Sequence, residues 1–262
     1  MFLGMDVIGD PVIPASDSDD GALRFEGVDL TYPDGTEALR DVSLDVSAGE
    51  FVSVVGPSGC GKSTLLKLAS GLLQETAGRV IVDRARLGYV FQDATLAPWR
   101  TVQKNVELLS ELHGIERAER RRVASEAIGL VGLAGFEGHY PKRLSGGMKM
   151  RVSLARSLTL DPTVFLFDEP FSALDEITRQ RLNGELLSLF LARGFAGLFI
   201  THNVFESVFL STRVLVMSER PGRIIAEIEV PFPFPRDDEL RFQAEFAAKG
   251  DEVSRALQEA YA

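Results

Sequence analysis

Apolar and polar residues alternate from Ala22 to Val46, with apolar side chains at Leu23, Phe25, Val28 and Leu30 and again at Val42, Leu44 and Val46. Period two, with Tyr32-Pro33-Asp34-Gly35 as the turn, predicts antiparallel strands that bury one face. Phe51-Val52-Ser53-Val54-Val55 departs from that rule. Its nearly unbroken apolar run fits a parallel strand covered on both faces. Ser63 to Leu73 shifts to helical spacing through Leu65, Leu66, Leu68 and Leu72, and residues 78–92 return to short strands that end at Gln92.

Between about Pro98 and Leu160 the chain is charged and helix-favouring, and Glu116 to Glu126 interleaves four arginines with acids, the pattern of a solvated helical face. Val164 to Phe167 and Gly197 to Thr201 are further buried-strand candidates, separated by a helix around Arg179 to Leu191. A strand over Arg213 to Ser218 precedes the turn Arg220-Pro221-Gly222-Arg223. Ile224 to Val230 then predicts an edge strand, and Asp237 to Ala262 a charged helix. The fold class expected is α/β: a core with a mainly parallel sheet, read as a P-loop NTPase core from the motif Gly56-x-x-x-x-Gly61-Lys62-Ser63 that follows the strand at 51–55, with an antiparallel β subdomain and an inserted α-helical subdomain. The expected boundaries are a mobile acidic leader at 1–21, a main domain at 22–223 with the helical insertion at about 93–160, and a C-terminal edge strand and helix at 224–262.

With 262 residues and 45% hydrophobic composition, a sizeable core is available without disulfides or metals. The net charge of −10 repels phosphate backbones and argues against nucleic acid as a partner. Cys60 is the only cysteine, so an intramolecular disulfide is impossible and a reducing compartment is expected. No apolar run is long enough for a membrane span, and residues 1–20 lack the basic start of a signal peptide. The expected location is cytoplasmic, with any membrane association arising through a partner.

Two glycine-rich segments carry the chemistry. Gly56-Pro57-Ser58-Gly59-Cys60-Gly61-Lys62-Ser63-Thr64 fills the pattern G-x-x-x-x-G-K-[ST] between a predicted strand and a predicted helix. Its glycines let backbone N–H groups curl around phosphate oxygens, Lys62 adds a point charge for the β and γ phosphates, and the Ser63 hydroxyl suits Mg²⁺. Asp168 ends a buried-strand run, placing a carboxylate beside that loop for Mg²⁺, and Glu169 follows within reach of an attacking water. The second segment, Leu144-Ser145-Gly146-Gly147-Met148, lies inside the helical insertion.

Leu144-Ser145-Gly146-Gly147 resembles the signature of ABC-transporter ATPase subunits, and the other landmarks of that family follow in order over about Leu23 to Arg223. The resemblance implies that Tyr32 stacks on adenine, a contact worth roughly 1–3 kcal/mol. It implies that Gln92 is the Q-loop glutamine, reaching metal and attacking water. Asp175, in Ser172-Ala173-Leu174-Asp175, falls in the D-loop, and His202 is the switch histidine that contacts the γ-phosphate. Cofactors implied are ATP and Mg²⁺. In the family two subunits meet head-to-tail, so that Ser145, Gly146 and Gly147 of one close over the ATP held by the other. The implied partners are therefore a second copy of this chain, integral-membrane permease subunits and, through them, a solute-binding protein, with the chain peripheral on the inner face of the membrane. Ala97-Pro98-Trp99-Arg100-Thr101-Val102, Ser218 to Ile224 and Phe234-Pro235-Arg236 look like the importer branch for nitrate, sulfonate and taurine. Ala173 to Arg179 with Thr201 to Thr212 looks closer to pyrimidine or thiamine-precursor uptake.

The chain also departs from the family pattern. Met148 and Met150 stand where glutamine is common, Asn203 where aspartate is usual and Phe205 where an acid is common, and the stretch Arg79 to Leu87 is short. Cys60 sits near Lys62 and a helix start, which would lower a thiol pKa; the alternative is a small residue accepted at an unconstrained loop position. Leu96 to Val102 carries the only tryptophan and is expected to dock on a membrane partner. Rival readings are an exporter ATPase, a soluble ABC protein acting on ribosomes or DNA, and an inactive structural cassette.

Overall fold

The computed structural model describes residues 22–261; the leader expected at 1–21 lies outside the described residues. Two sheets organise the molecule. Strands β1 (Leu23–Thr31), β2 (Glu37–Val46) and β4 (Ala77–Val82) form an antiparallel sheet in the order β2-β1-β4. The second sheet contains β3 (Phe51–Val55), β5 (Leu87–Val90), β6 (Val164–Asp168), β7 (Ala196–Ile200), β8 (Arg213–Met217) and β9 (Ile224–Glu229). Its order is β5-β6-β7-β3-β8-β9, and only β9 runs antiparallel to its neighbour.

The two faces of β3 explain its unbroken apolar run. Phe51 and Val55 face a cluster containing Phe165, Phe167, Phe190 and Phe199. Val52 and Val54 face the other way, toward Leu166, Leu198, Leu215 and the antiparallel sheet. The Phe51 ring centroid lies 5.8 Å from Phe167, 5.3 Å from Phe190 and 5.8 Å from Phe199. Tilted and edge-on contacts at these separations add about 0.5–1.5 kcal/mol each to the hydrophobic gain of burial.

Helix α1 (Lys62–Ala69) follows β3 and packs Leu65, Leu66 and Leu68 into the cluster beneath the antiparallel sheet. It stops short of the expected Leu73. Gly71 takes a left-handed φ of 76°, and the Arg84 guanidinium donates to the Ala69 and Leu68 carbonyls at 3.3 and 3.4 Å, closing the helix end. The insertion comprises α2 (Val102–Val106), α3 (Leu108–Leu112), α4 (Arg117–Leu130) and α5 (Gly146–Leu158), built around its own small core of Val102, Val106, Ile128, Leu133 and Val152. Arg156 of α5 fastens this subdomain to the chain leaving β5, donating to the Thr95 and Ala94 carbonyls at 3.0 and 3.2 Å.

Helix α6 (Glu176–Arg193) covers the phenylalanine face, and Gly194 ends it. That boundary divides the apolar stretch Leu186 to Ile200 into helix and strand. A short helix, α7 (Val204–Leu210), was not expected from periodicity. Asn203 caps it, its Oδ1 accepting the Glu206 N–H at 3.0 Å. The departure from aspartate at 203 therefore keeps the capping function. Residues 224–261 are continuous with the core. β9 pairs with β8 at the sheet edge as expected, and α8 (Ala244–Glu259) buries Phe246 and Val253 in the phenylalanine cluster. The predicted helix from Asp237 is split, with a 3-10 turn over Asp238–Phe242 preceding α8.

Candidate nucleotide-binding site

Parallel register delivers the functional segments to one edge of the sheet. Ile200 of β7 pairs with both Val54 of β3 and Asp168 of β6. The loop after β3, the acids after β6 and the residues after β7 therefore emerge side by side, where open α/β sheets bind ligands. An open cavity of about 1010 Å³ lies there, lined by Gly56, Ser58, Gly59, Gly61, Lys62, Ser63 and Thr64, with Tyr32, Glu169 and His202 on its walls. A second cavity of about 430 Å³, at the seam between the insertion and the core, is lined mainly by apolar side chains such as Leu130, Met150, Phe171 and Leu182. The first combines a glycine loop at a helix start with Lys62 and a serine hydroxyl, the donors a phosphate requires.

Gly61 caps α1 in a left-handed conformation (φ 112°) without any side-chain hydrogen bond, leaving the helix N-terminus open to an anion. No side chain fits at that position: a Cβ would stand 2.7 Å from Leu39 Cδ2. The buried Lys62 ammonium donates to the Gly56 and Pro57 carbonyls at 2.8 and 2.7 Å. Phosphate oxygens compete directly with those carbonyls for its protons. Cys60 points away from the cavity and is 1% exposed, within the cluster that includes Leu39 and Met217. Of the two readings of Cys60, its burial favours the small residue over the reactive thiol, at a position that packing constrains.

Ser63 Oγ donates to Asp168 Oδ1 at 2.9 Å, and the Tyr89 hydroxyl donates to Asp168 Oδ2 at 3.4 Å. Burial raises the Asp168 pKa and Glu169 adds to the rise, opposed by these hydrogen bonds. Tyr89 is pushed up by burial and by the Asp168 charge. A hydroxyl and a carboxylate this close offer hard oxygen donors of the kind Mg²⁺ takes. Among the described residues no group of three or more His, Cys, Asp or Glu side chains gathers into a metal site. The pair therefore fits an ion that completes its shell with water and phosphate oxygens.

Glu169 takes φ 45°, unusual for a residue with a side chain and a form of strain concentrated at functional sites. Its surroundings hold it there. Its N–H donates to the Ile200 carbonyl at 3.0 Å, while its own carbonyl accepts the Ser172 hydroxyl at 3.0 Å. Gln92 Nε2 donates to that same Ser172 oxygen at 3.3 Å. His202 Nδ1 lies 3.0 Å from Glu169 Oε2. Tyr32 is fixed through its hydroxyl, 3.3 Å from Thr64 Oγ1.

Gln92, Asp168, Asp175, Ser145, Gly146 and Gly147 do not line the cavity. Gln92 is turned toward Ser172 and Asp168 lies just beneath the cavity wall. Ser145 caps α5, its Oγ accepting the Met148 N–H at 3.3 Å, and Asp175 caps α6 through Thr178 N–H at 2.9 Å. The Asp175 carboxyl is held below its ordinary pKa chiefly by that backbone bond. A Cβ on Gly146 would meet Leu174 at 3.1 Å and one on Gly147 would meet Thr178 at 3.2 Å, so Gly146 and Gly147 pack on Leu174 and the first turn of α6. Ser145 and Gly146 are exposed. Met150 is buried and Met148 half-buried, packing residues rather than polar contacts. Arg220 and Tyr261 also line the cavity; neither was expected, because one sits in a turn and the other after a charged helix.

A family model described as ABC transporter matches residues 39–172. The taurine import ATP-binding protein TauB of Yersinia pestis is 43% identical over 80% of this chain and 85% of its own length. The nitrate import ATP-binding protein NrtC of Synechococcus elongatus is 44% identical over 76% of this chain, which spans 32% of that longer protein. Among solved structures, the dimeric ATP-binding cassette MJ0796 bound to ADP and Pi superposes with a TM-score of 0.70 at 32% identity, over 80% of this chain and all of the other. No helix among the described residues is long and apolar enough to cross a membrane.

Behind His202 lies a buried carboxyl. Glu206 bonds the Thr201 hydroxyl, yet its other oxygen and Asn183 Oδ1 beside it are both buried without a donor. Burial raises the Glu206 pKa, against the Thr201 bond, the charge of Arg179, the neighbouring Asn183 amide and the charge of His202. A proton on Glu206 supplies the donor these two acceptors lack. Because the folded-state pKa is raised, the stability contribution is complete below the ordinary glutamate value of about 4.3 and is lost as pH rises through the folded value. Glu206→Gln, which carries a permanent donor, is predicted to melt higher than the wild type at pH 8, by roughly 1–3 kcal/mol. The difference should shrink toward pH 4; a variant less stable at both pH values contradicts this assignment.

Proposed function

The chain belongs to the ABC transporter family as an ATP-binding, ATP-hydrolysing subunit, and from that premise we propose that it powers a bacterial importer of a small solute of the nitrate, sulfonate, taurine or pyrimidine type. One observation carries the ATPase at the centre of this reading. A phosphate-binding cavity has Glu169 and His202 on its wall, while the signature stands exposed elsewhere on the same chain.

The P-loop N–H groups and Lys62 bind the triphosphate and draw charge from its β and γ phosphates. Ser63 and Asp168 hold Mg²⁺, which when bound neutralises charge developing on the phosphate oxygens. Glu169 accepts a proton from the water that attacks the γ-phosphorus. As the new P–O bond forms, the bond to ADP breaks, and the proton leaves with inorganic phosphate. His202, 3.0 Å from Glu169 Oε2, orients that carboxylate and contacts the γ-phosphate. Gln92, through Ser172, ties the position of Glu169 to the insertion. Asp175 and the signature residues Ser145, Gly146 and Gly147 complete the site of a second copy arranged head-to-tail; the dimeric form of MJ0796 supports this assembly.

The loop around Trp99 supplies the permease contact. Trp99 is 76% exposed, yet its loop is stiff: buried Asn105 accepts the Ala97 N–H at 2.8 Å and donates to the Ala97, Arg100 and Thr101 carbonyls. A rigid loop presenting a large aromatic is the form of an interface anchor. The names of the taurine and nitrate relatives support an import role, with a solute-binding protein acting through the assembled transporter.

Glu169→Gln is predicted to bind ATP, to accumulate as a nucleotide-bound dimer on size exclusion, and to hydrolyse about 10²–10⁴-fold more slowly; wild-type turnover would remove Glu169 as the base. In detergent-solubilised membranes the tagged wild-type chain should recover a multi-span permease. Trp99→Ala should lose it while keeping the ATP turnover of the isolated subunit. Recovery of ribosomal subunits in its place would favour a non-transport role.

A further inference from the structure

Arg220 and Tyr261 stand in the wall of the nucleotide cavity and take no part in the chemistry above. Both are placed by the end of β8. In the sheet order β6-β7-β3-β8, Glu169 and His202 come from one side of the P-loop strand and these two residues from the other. Residues 218–222 dock on the strand that leaves the Tyr32 turn. Gly222 N–H donates to the Ala38 carbonyl at 2.9 Å, and Arg40 N–H donates to the Gly222 carbonyl at 3.1 Å. The approach is tight, since a Cβ at Gly222 would lie 2.2 Å from the Cys60 carbonyl oxygen of the P-loop. From this loop Arg220 reaches the P-loop tip, Nη2 and Nε donating to the Gly59 carbonyl at 2.8 and 3.3 Å. Glu219 N–H then donates to the Ala260 carbonyl at 3.3 Å, which ties the end of α8 to the same loop and brings Tyr261 to the same cavity. Tyr261 and Tyr32 both line this cavity.

Tyr261 is presented by an anchored element. Phe246 of α8 is buried and its ring lies 6.0 Å from Phe205 of α7, in a stacked arrangement. Upstream, the Arg236 Nη1 donates to the Val208, Phe209 and Ser211 carbonyls, each at 2.9 Å, clasping the end of α7. Burial lowers the Arg236 pKa to about 10. Yet Tyr261 itself is 60% exposed, so packing does not account for its ring. The Tyr261 hydroxyl can donate to a phosphate oxygen, but the P-loop and Lys62 already serve the triphosphate. The Tyr261 ring offers a flat apolar face, the feature a purine stacks on.

We propose that Tyr261 is a second base-contacting residue, acting with Tyr32 on the adenine of ATP, and that Arg220 is a positioning residue that holds this wall against the P-loop. The proposal rests on the cavity being the ATP site. It also links nucleotide occupancy to α8 and so to α7, the helix that begins just after His202.

The test compares the full chain with Tyr261→Ala and Tyr261→Phe, measuring affinity for ATP and for inorganic tripolyphosphate, which lacks a base. Loss of one stacking partner should weaken ATP binding by Tyr261→Ala roughly fivefold or more. Tripolyphosphate affinity should be unchanged, and Tyr261→Phe should match the wild type for both ligands. Unchanged ATP affinity in Tyr261→Ala, or an equal loss for both ligands, overturns the base contact. A wild-type chain that binds neither ligand overturns the reading of the cavity itself, a separate outcome. The exposure of Tyr261 predicts equal melting temperatures for all three forms without nucleotide.

Discussion

The parallel ladder of β6, β7, β3 and β8 is the constraint on which the site depends. Each strand contributes one segment to the same edge, and their spacing follows from register alone: Val54, Ile200 and Asp168 lie at one level. Slipping one strand by a residue would turn its side chains to the opposite face. The phenylalanines oppose such a slip, because Phe51, Phe165, Phe167 and Phe199 must all face one cluster while Val52, Val54, Leu166 and Leu198 face the other. Burial of those rings thus fixes the relation between the P-loop, Glu169 and His202.

A second set of contacts makes that arrangement responsive. Glu169 occupies a strained backbone conformation held by Ile200 and Ser172, and Ser172 is held by Gln92. The segment that follows Gln92 is fastened to α5 by Arg156, and α5 begins at the signature. A short chain of hydrogen bonds and backbone therefore joins Glu169 to the helix that presents the signature. On the other flank, α7 starts just after His202 and is covered by α8. Either helical element is thus only a few contacts from Glu169 and His202.

Much of this was legible in the sequence, for reasons that are local. Phe51 to Val55 is too apolar for a one-sided strand, and the glycine spacing that follows leaves few alternatives to a phosphate loop. The acids at 168 and 169 close a run of the same kind. What escaped had no periodicity to reveal it. Helix α7 has seven residues, although Asn203 followed three positions later by Glu206 was an available capping signal. Arg84 and Arg236 act on carbonyls far away in sequence, and nothing near them announces it. Arg220 and Tyr261 come to one cavity through tertiary contacts, among them the backbone hydrogen bond from Glu219 to Ala260. Cys60 was placed in the right loop, but its side-chain direction is set by Leu39 and Met217, which come from other strands.

The central claim is that one chain supplies two complementary halves, a P-loop cavity and an exposed signature, and that each completes a site on another copy. Mixing Lys62→Ala chains with Ser145→Arg chains tests it most directly. Each variant alone should lose ATP hydrolysis. Their mixed dimer should regain it, because both defects fall in one composite site and the other is intact. A Ser145→Arg chain that hydrolyses ATP at the wild-type rate, or a mixture as silent as its components, would contradict the account.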